Sequence, residues 1–282
     1  MGGVSQVSEL IEHYCVIGNP VSHSKSPEIH AAFALQTGQQ IRYERCLAPL
    51  DGFAATVAAL IASGCKGANV TVPFKLEAAA LATALSPRAE AAGAVNTLMF
   101  ADGRVTGDNT DGAGLVNDIT RNAGFAIDGR RVLLLGAGGA ARGAILPLLG
   151  EGPRKLVIAN RTRVNAEALA QRFAAPGRQL SACTFAEVDG QFDLVVNATS
   201  ASLAGELPPL PAALFTSNTL ALDMMYGREP TPFMAFARTC GATPRDGLGM
   251  LVEQAAEAFL LWRGVRPETA AILARMRGNS AV

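Results

Sequence analysis

The feature that most constrains the fold is a short apolar run that leads directly into a glycine-rich turn. The run RVLLLG at residues 131–136 has the length of a buried strand, and GAGGAARG at 136–143 opens a helical segment. Glycines at such a junction let the backbone turn tightly and approach a diphosphate at the helix N-terminus. This order predicts a dinucleotide site, although glycine-rich turns of this kind also occur for packing reasons alone.

Alternating strand-like and helical segments continue after this turn. The apolar runs LVIAN, DLVVNAT and TLALDM read as further strands, and AEALAQRF reads as a helix between the first two. Buried strands that alternate with amphipathic helices indicate a parallel sheet covered on both faces. The sequence therefore predicts an α/β protein with a doubly wound parallel sheet.

The two ends of the chain are expected to form a second α/β unit. The predicted elements are strands at Tyr14–Gly18 and Ala68–Val72, helices from Ser26 and from Pro73 to Leu85, a hairpin turning at Asp102-Gly103, and C-terminal helices at Leu248–Trp262 and from Pro267. Ser26 is the expected cap of its helix, with Pro27 at the first helical position, and Gly38 is expected to end it.

These patterns divide the chain into two predicted domains. Residues 1–110 and 246–282 form a substrate domain, and residues 111–245 form a nucleotide domain, joined by a helix that begins near Asp111. A cleft between two domains is a common place for a small-molecule site. We therefore expect the ligands to bind between them.

Charge and residue usage exclude several other classes of function. Lys and Arg number 24, as do Asp and Glu, so no basic surface predicts a nucleic-acid or membrane partner. Five scattered cysteines indicate free thiols in a reducing compartment, and three histidines without partners at ligand spacing predict no metal site. No apolar run is long enough to span a membrane. A small molecule is the expected partner, the cytoplasm the expected compartment, and either a monomer or a homodimer the expected assembly.

The loop after the second strand of the nucleotide domain bears on the choice of cofactor. It reads Asn160-Arg161-Thr162-Arg163, and positions 160–165 contain no acid. An acidic side chain here would accept a ribose hydroxyl and repel a phosphate, whereas a planar guanidinium suits the 2′-phosphate of NADP. The sequence therefore predicts NADP, while ordinary solvated loop arginines are the alternative.

Reduction of a carbonyl by a nicotinamide cofactor also requires a proton donor, and Lys75 is the best candidate. It lies in the first turn of the helix opened by Pro73, where the helix dipole disfavours a positive charge. Asp111, in GDNTD, could supply the carboxylate that holds its ammonium group. The alternatives are a solvated helix lysine and a carboxylate that only stabilises a helix N-terminus.

Two serines beside Lys25 are candidate ligands for a substrate carboxylate. Ser24 and Ser26 lie in a loop that leads into a helix, where hydroxyl groups and the helix N-terminus can bind an anion. Ser26 is equally well explained as a helix cap, so Ser24 is the more diagnostic of the two.

Ten stretches between Tyr14 and Trp262 together resemble the shikimate dehydrogenases. They read GNPVSHSKSPEIH, GANVTVPFK, AGAVNTL, GDNTDGAGL, LLGAGGAARG, NRT, NATS, DMMYG, TPF and DGLGMLVEQAAEAF, in the order of that family. The resemblance implies reversible, NADP-dependent reduction of 3-dehydroshikimate to shikimate, a step in aromatic amino acid biosynthesis. It also implies a Rossmann-like domain inserted between the two halves of a substrate domain.

The resemblance also implies roles for individual residues. Ser24 and Ser26 would bind the substrate carboxylate, and Lys75 would be the acid/base. Thr71, Asn96, Asp111 and Gln254 would surround the ring hydroxyls and the reacting oxygen, with Tyr226 nearby. The implied cofactor ligands are Gly136, Ala137, Gly138, Gly139 and Ala140 at the diphosphate, Asn160, Arg161, Thr162 and Arg163 at the 2′-phosphate, and Met224 and Gly247 at the nicotinamide.

One position departs from the pattern of the family. Members that prefer NADP often carry a second arginine three residues after the threonine of NRT, where this chain has Asn165. Either Arg163 substitutes for it or one phosphate contact is lost, with a several-fold change in affinity.

Three rival functions follow from the same residues. One is a quinate/shikimate dehydrogenase with relaxed choice of substrate and cofactor. Another is a non-catalytic binding protein on the same scaffold, against which the presence of Lys75 and Asp111 weighs. The third is a folate-type dehydrogenase, which the serine loop fits less well.

Overall fold

The computed structural model describes residues 11–278, and within this range the strands form two sheets of six. The first sheet contains β1 (Glu12–Gly18), β2 (Ile41–Leu47), β3 (Gly67–Val70), β4 (Ala84–Leu85), β5 (Thr97–Ala101) and β6 (Arg104–Asp108). Its order is β2-β1-β3-β5-β6-β4, with β2, β1 and β3 mutually parallel and β5 antiparallel to both β3 and β6.

Four helices accompany the first sheet along the chain, and two more pack against it from the C-terminal end. They are α1 (Ser26–Thr37), α2 (Phe53–Ala62), α3 (Lys75–Leu81), α4 (Pro87–Ala92), α9 (Leu248–Arg263) and α10 (Ala270–Gly278). Ile29 and Phe33 of α1 are buried against Val252 and Phe259 of α9. The N-terminal and C-terminal parts of the chain therefore share one hydrophobic core.

The second sheet is parallel throughout, as the sequence predicts. It contains β7 (Arg131–Leu135), β8 (Lys155–Ala159), β9 (Leu180–Cys183), β10 (Leu194–Asn197), β11 (Leu220–Asp223) and β12 (Thr243–Arg245), in the order β12-β11-β10-β7-β8-β9. The helices α5 (Asp111–Asn117), α6 (Gly139–Gly150), α7 (Arg163–Arg172) and α8 (Pro232–Thr239) accompany it. Apolar side chains of its strands are buried on both faces, which explains their unbroken apolar sequences.

Several predicted boundaries near the N-terminal half are wrong. The helix expected from Pro73 to Leu85 spans only Lys75–Leu81, because Ala84 and Leu85 pair with β6 as a short strand. Pro87 then begins a separate helix, with the Ser86 side chain as its cap. The expected hairpin is confirmed: Asp102 and Gly103 both have positive φ between β5 and β6.

The expected start of α1 also needs correction. Ser26 is the first residue of the helix rather than its cap, and Lys25 occupies the cap position without a side-chain hydrogen bond. Pro27 lies in the first turn and Gly38 ends the helix in the left-handed region, both as expected. The last helix begins at Ala270, three residues later than the predicted start at Pro267.

Helix α5 connects the two sheets and is tightly packed on both sides. A Cβ atom at Gly112 would overlap the carbonyl oxygen of Gly143 in α6. A Cβ atom at Gly114 would lie 2.6 Å from the Gln254 side chain in α9. The two glycines of DGAG therefore allow close contact with both neighbouring helices, which brings the first residue of α5, Asp111, beside α9.

A fully buried histidine lies in the aromatic cluster between α1, β2 and α9. The His30 ring stacks on Tyr43 with centroids 4.2 Å apart, and Phe33, Phe259 and Trp262 surround it. Burial lowers the pKa of His30 to about 3, because a charged imidazolium would lose its hydration there. The ring is therefore neutral in the folded protein at every pH near neutrality.

This shift predicts a loss of stability in mild acid. Below pH 6.5 the unfolded chain binds a proton at His30 that the folded chain does not, so the free energy of unfolding decreases as the pH falls toward 3. Between pH 7 and pH 5 the loss from this group is about 2 kcal/mol. Urea unfolding at both pH values should show that His30→Phe reduces the loss by this amount, while His23→Gln, at an exposed histidine, leaves it unchanged.

Candidate active site

Eight predicted substrate residues line a single cavity at the carboxyl ends of β1 and β3. They are Ser24, Ser26, Thr71, Lys75, Asn96, Asp111, Tyr226 and Gln254. The strands β1 and β3 are parallel neighbours, so the loops that follow them meet at the same edge of the sheet. Helices α5 and α9 supply Asp111 and Gln254 from the other side of the cavity.

The centre of this cavity is an ion pair between Lys75 and Asp111. The Nζ atom of Lys75 donates to Oδ2 of Asp111 at 2.5 Å, and the two side chains are 30% and 18% exposed. Lys75 is the first residue of α3 and Asp111 the first residue of α5, so two helix N-termini meet here. The pair remains accessible from the cavity, as a group that exchanges a proton with a ligand must be.

A buried amide fixes the other oxygen of the Asp111 carboxylate. Nδ2 of Asn96 donates to Oδ1 of Asp111 at 2.8 Å and to Oγ1 of Thr110 at 2.9 Å, and it lies 3.3 Å from Oε1 of Gln254. Oδ1 of Asn96 accepts from the Thr110 backbone N–H at 2.8 Å. Both oxygens of Asp111 therefore have partners, and its carboxylate is held in one orientation.

The serine loop forms another wall of the cavity. Oγ of Ser24 lies 3.2 Å from Oγ of Ser26, and the Ser26 backbone N–H donates to Oγ of Ser24 at 3.3 Å. Arg45, on β2, donates from Nε and Nη2 to the Ser24 carbonyl at 3.0 and 2.5 Å. Two hydroxyl groups and a nearby guanidinium make this wall suitable for a carboxylate.

Two polar residues of the first sheet, one lining the cavity and one bonded to it, were not predicted from the sequence. Asn69 of β3 lines the cavity, and Tyr43 of β2 donates to its Oδ1 at 2.7 Å. A tyrosine in an edge strand of mixed polarity carries no local sign of a role in a site. Asn69 stands in the quoted motif GANVTVPFK, beside Thr71, which is the only signal that could have identified it.

A second cavity lies at the glycine-rich turn between β7 and α6. The residues Gly136, Ala137, Gly138, Gly139, Ala140, Asn160 and Arg161 line it, together with Ala198, Thr199, Ser200 and Ala201 after β10. Cβ atoms at Gly138 and Gly139 would meet nothing, so the backbone faces open space at the N-terminus of a twelve-residue helix. This geometry fits the diphosphate of a dinucleotide, whose charge the helix N-terminus stabilises.

Not all of the predicted cofactor residues line the second cavity. Arg163 forms ion pairs with Glu167, at 2.9 Å, and with Glu187, whereas Arg161 is exposed at the cavity. Thr162 accepts a hydrogen bond from the Asn160 side chain through its carbonyl group. Met224 and Gly247 line the first cavity instead, and Gly247 packs directly against the Met224 carbonyl. Met225, the next residue, lines the second cavity, so the two cavities adjoin at this loop.

Two other kinds of feature have no candidate among the described residues. Among residues 11–278, no cluster of three or more His, Cys, Asp or Glu side chains could bind a metal ion. Within the same residues, none of the helices combines the length and the apolar character that crossing a membrane requires.

Three family descriptions match consecutive parts of the chain. "Shikimate dehydrogenase substrate binding domain" matches residues 16–98, "Shikimate / quinate 5-dehydrogenase" residues 118–204, and "Shikimate 5'-dehydrogenase C-terminal domain" residues 247–277. A relative from Herminiimonas arsenicoxydans, named shikimate dehydrogenase (NADP(+)), is 64% identical over 97% of this chain and 100% of its own length. The chain belongs to the shikimate dehydrogenase family.

Solved structures of this family and of related enzymes share the architecture. An Ael1 enzyme from Pseudomonas putida is 49% identical, with a TM-score of 0.90 over 94% of this chain and 97% of its own. A shikimate 5-dehydrogenase from Thermus thermophilus, solved in complex with NADP(H) and shikimate, is 32% identical, with a TM-score of 0.84 over 96% and 100%. The two-domain, Rossmann-like α/β architecture expected from the sequence is confirmed.

The open space at Gly138 yields a test of the second cavity. Gly138→Ala adds a methyl group that contacts nothing in the protein, so Tm should stay within about 2 °C of the original value. The same methyl group would stand where the diphosphate must approach the backbone, so the Kd for NADP should rise about tenfold. Gly150→Ala, at the far end of the same helix, is the matched control. An unchanged Kd would exclude this turn as the diphosphate site.

Proposed function

We propose that this protein catalyses the reversible, NADPH-dependent reduction of 3-dehydroshikimate to shikimate, an oxidoreductase reaction at a CH–OH group. The single observation that carries the proposal is the placement of the Lys75–Asp111 pair. It faces the same cavity as the serine loop, and that cavity adjoins the one at the glycine-rich turn. A proton donor, a carboxylate-binding wall and a dinucleotide site are thereby brought together.

The substrate carboxylate binds the hydroxyl groups of Ser24 and Ser26 in this proposal. This anchor directs the ring toward Lys75, whose Nζ atom is the proton donor for the carbonyl oxygen. Thr71, Asn96, Tyr226 and Gln254 are the remaining contacts to the substrate. Polar groups at fixed positions of this kind discriminate well between polyhydroxylated rings, because each unmatched group stays unpaired.

NADP, when bound, supplies the hydride. Residues Gly136–Ala140 would hold its diphosphate, and Asn160 and Arg161 would face its adenosine phosphate. Met224 and Gly247, which line the substrate cavity, would lie at the nicotinamide end. Asp111 holds the Lys75 ammonium group in place during proton transfer, and it stabilises the charge on that group in the oxidative direction.

The domain division predicted from the sequence is part of this proposal. Residues 1–110 and 246–282 form the substrate domain and residues 111–245 the cofactor domain; residues 1–10 and 279–282 lie outside the described part of the chain. A cytoplasmic location and an assembly as a monomer or homodimer also stay predictions.

A substrate and cofactor panel tests the function itself. Purified protein is mixed with shikimate or quinate and with NADP or NAD, and the absorbance of the reduced nicotinamide is followed. Rapid reduction of NADP with shikimate alone is the expected result. Comparable rates with quinate or NAD would favour the quinate/shikimate alternative, and no turnover from folded protein would refute the proposal.

Replacement of the proposed proton donor should reduce the rate constant rather than the affinity. Lys75→Ala removes the group that transfers the proton, so kcat should fall by about 10²- to 10⁴-fold, with a much smaller change in the KM for shikimate. Lys66→Ala, at an exposed lysine near the start of β3, is the matched control and should retain wild-type kcat. A Lys75→Ala protein that lost only affinity would make Lys75 a binding residue.

Replacement of the proposed phosphate ligand should affect one cofactor only. Arg161 follows the carboxyl end of β8, so Arg161→Ala should raise the KM for NADP about fivefold and leave the KM for NAD unchanged. Arg154→Ala, before the amino end of the same strand, should change neither constant. An equal effect of Arg161→Ala on both cofactors would show that the guanidinium does not select the phosphate.

A further inference from the structure

A tyrosine behind the wall of the substrate cavity has no role in the proposed function. Tyr43 lies on β2, and its ring is stacked on the buried His30 with an angle of 5° between the planes. Its hydroxyl donates to Oδ1 of Asn69 at 2.7 Å. Burial raises the pKa of Tyr43 well above its usual value, so the hydroxyl keeps its proton and remains a donor.

Asn69 is fixed on its other side as well. Its Nδ2 atom donates to the Asn96 carbonyl at 3.2 Å and to Oγ1 of Thr97 at 3.1 Å. With both N–H groups used, Oδ1 must face Tyr43, and only the tyrosine hydroxyl donates to it among the described contacts. Asn69 is 6% exposed, so loss of this donor would leave a buried carbonyl oxygen without a partner.

Asn69 lines the substrate cavity together with Ser26, which is likewise 6% exposed and accepts a hydrogen bond from Ser24. Tyr43 does not line the cavity, but its hydroxyl group holds a side chain of the β3 wall that does.

We propose that Tyr43 is a positioning residue for substrate binding, because its hydroxyl group fixes the Asn69 side chain in the wall of the substrate cavity. The inference rests on the proposed function, in which that cavity binds the substrate. Tyr43 itself does not touch the reacting atoms in this proposal. Its removal should weaken binding of the substrate and leave proton transfer at Lys75 intact.

A matched pair of variants tests this role. Tyr43→Phe removes one oxygen and keeps the ring stacked on His30, so the KM for shikimate should rise about tenfold while kcat changes less than about twofold. Tyr14→Phe is the control: Tyr14 is the register partner of Tyr43, is 2% exposed, and bonds Glu12 away from the cavity. The KM for NADP should not change in either variant. Equal effects of the two variants on the KM for shikimate would overturn the proposal.

A direct measurement of shikimate binding distinguishes failure of this inference from failure of the proposed function. Trp262, the single tryptophan of the chain, lies 6.2 Å from the Tyr43 ring, so its fluorescence can follow a shikimate titration without turnover. A wild-type protein that binds shikimate but reduces no nicotinamide would refute the function, and the two Kd values would still decide the role of Tyr43. Normal wild-type turnover with an unchanged Kd in Tyr43→Phe would refute the positioning role alone. A wild-type protein that does not bind shikimate would refute both.

A double variant checks that Tyr43 acts through the asparagine. If Tyr43 positions Asn69, Tyr43→Phe should weaken shikimate binding about tenfold in the wild-type background but less than about threefold in an Asn69→Ala background. Independent, multiplicative effects of the two changes would contradict the proposal. This comparison also holds if Tyr43→Phe lowers Tm, because both backgrounds carry the same change.

Discussion

The site depends on the way that helix α5 is held between the two sheets. Gly112 and Gly114 allow α6 and α9 to approach this helix closely. Asp118, the residue that follows the last residue of α5, is fully buried and accepts two hydrogen bonds from Arg245, at 2.5 and 2.7 Å. A buried carboxylate without such a partner would cost several kcal/mol, so this end of the segment cannot shift on its own. Asp111 is the first residue of the same helix. Its position next to Lys75 therefore follows from the packing of the whole helix.

A chain of buried charges extends this restraint to the residues that precede α5. Glu253, fully buried in α9, pairs with Arg266, which also pairs with Glu257, and Glu257 in turn lies 3.7 Å from Arg88. Arg88 donates to both oxygens of Asp108; burial opposes ionisation of this carboxyl group, but these hydrogen bonds are strong enough to keep its pKa below the usual value. Asp108 stands three residues before Asp111. This network and the Asp118–Arg245 pair therefore anchor the segment 108–118 at its two ends, and the catalytic carboxylate proposed here lies between two fixed points.

Sequence patterns correctly predicted the structural features that depend on neighbouring residues along the chain. They failed for the features that contacts between distant residues determine. The parallel sheet followed from unbroken apolar strands, and Asp102-Gly103 followed from the demands of a tight hairpin. The helix expected to continue to Leu85 ends earlier, because Ala84 and Leu85 pair with β6. Local helix propensity cannot reveal such a pairing. The ten motifs contain the eight predicted residues that line the cavity at the ends of β1 and β3. Tyr43 was not predicted because the only sign of its role is the hydrogen bond from its hydroxyl group to Asn69, which lies 26 residues further along the chain.

The loop at residues 160–163 shows what the structure adds to a prediction made from residue types alone. The sequence treats Arg161 and Arg163 alike, but the structure gives Arg163 two carboxylate partners and leaves Arg161 facing the cofactor cavity. Exposed ion pairs are individually weak, and a phosphate dianion attracts a guanidinium more strongly than one carboxylate does. Recruitment of Arg163 would nevertheless leave Glu167 and Glu187 without their cation, next to the same phosphate. The repulsion from these two carboxylates opposes that rearrangement, which is why Arg161 rather than Arg163 is the phosphate ligand in the proposed function.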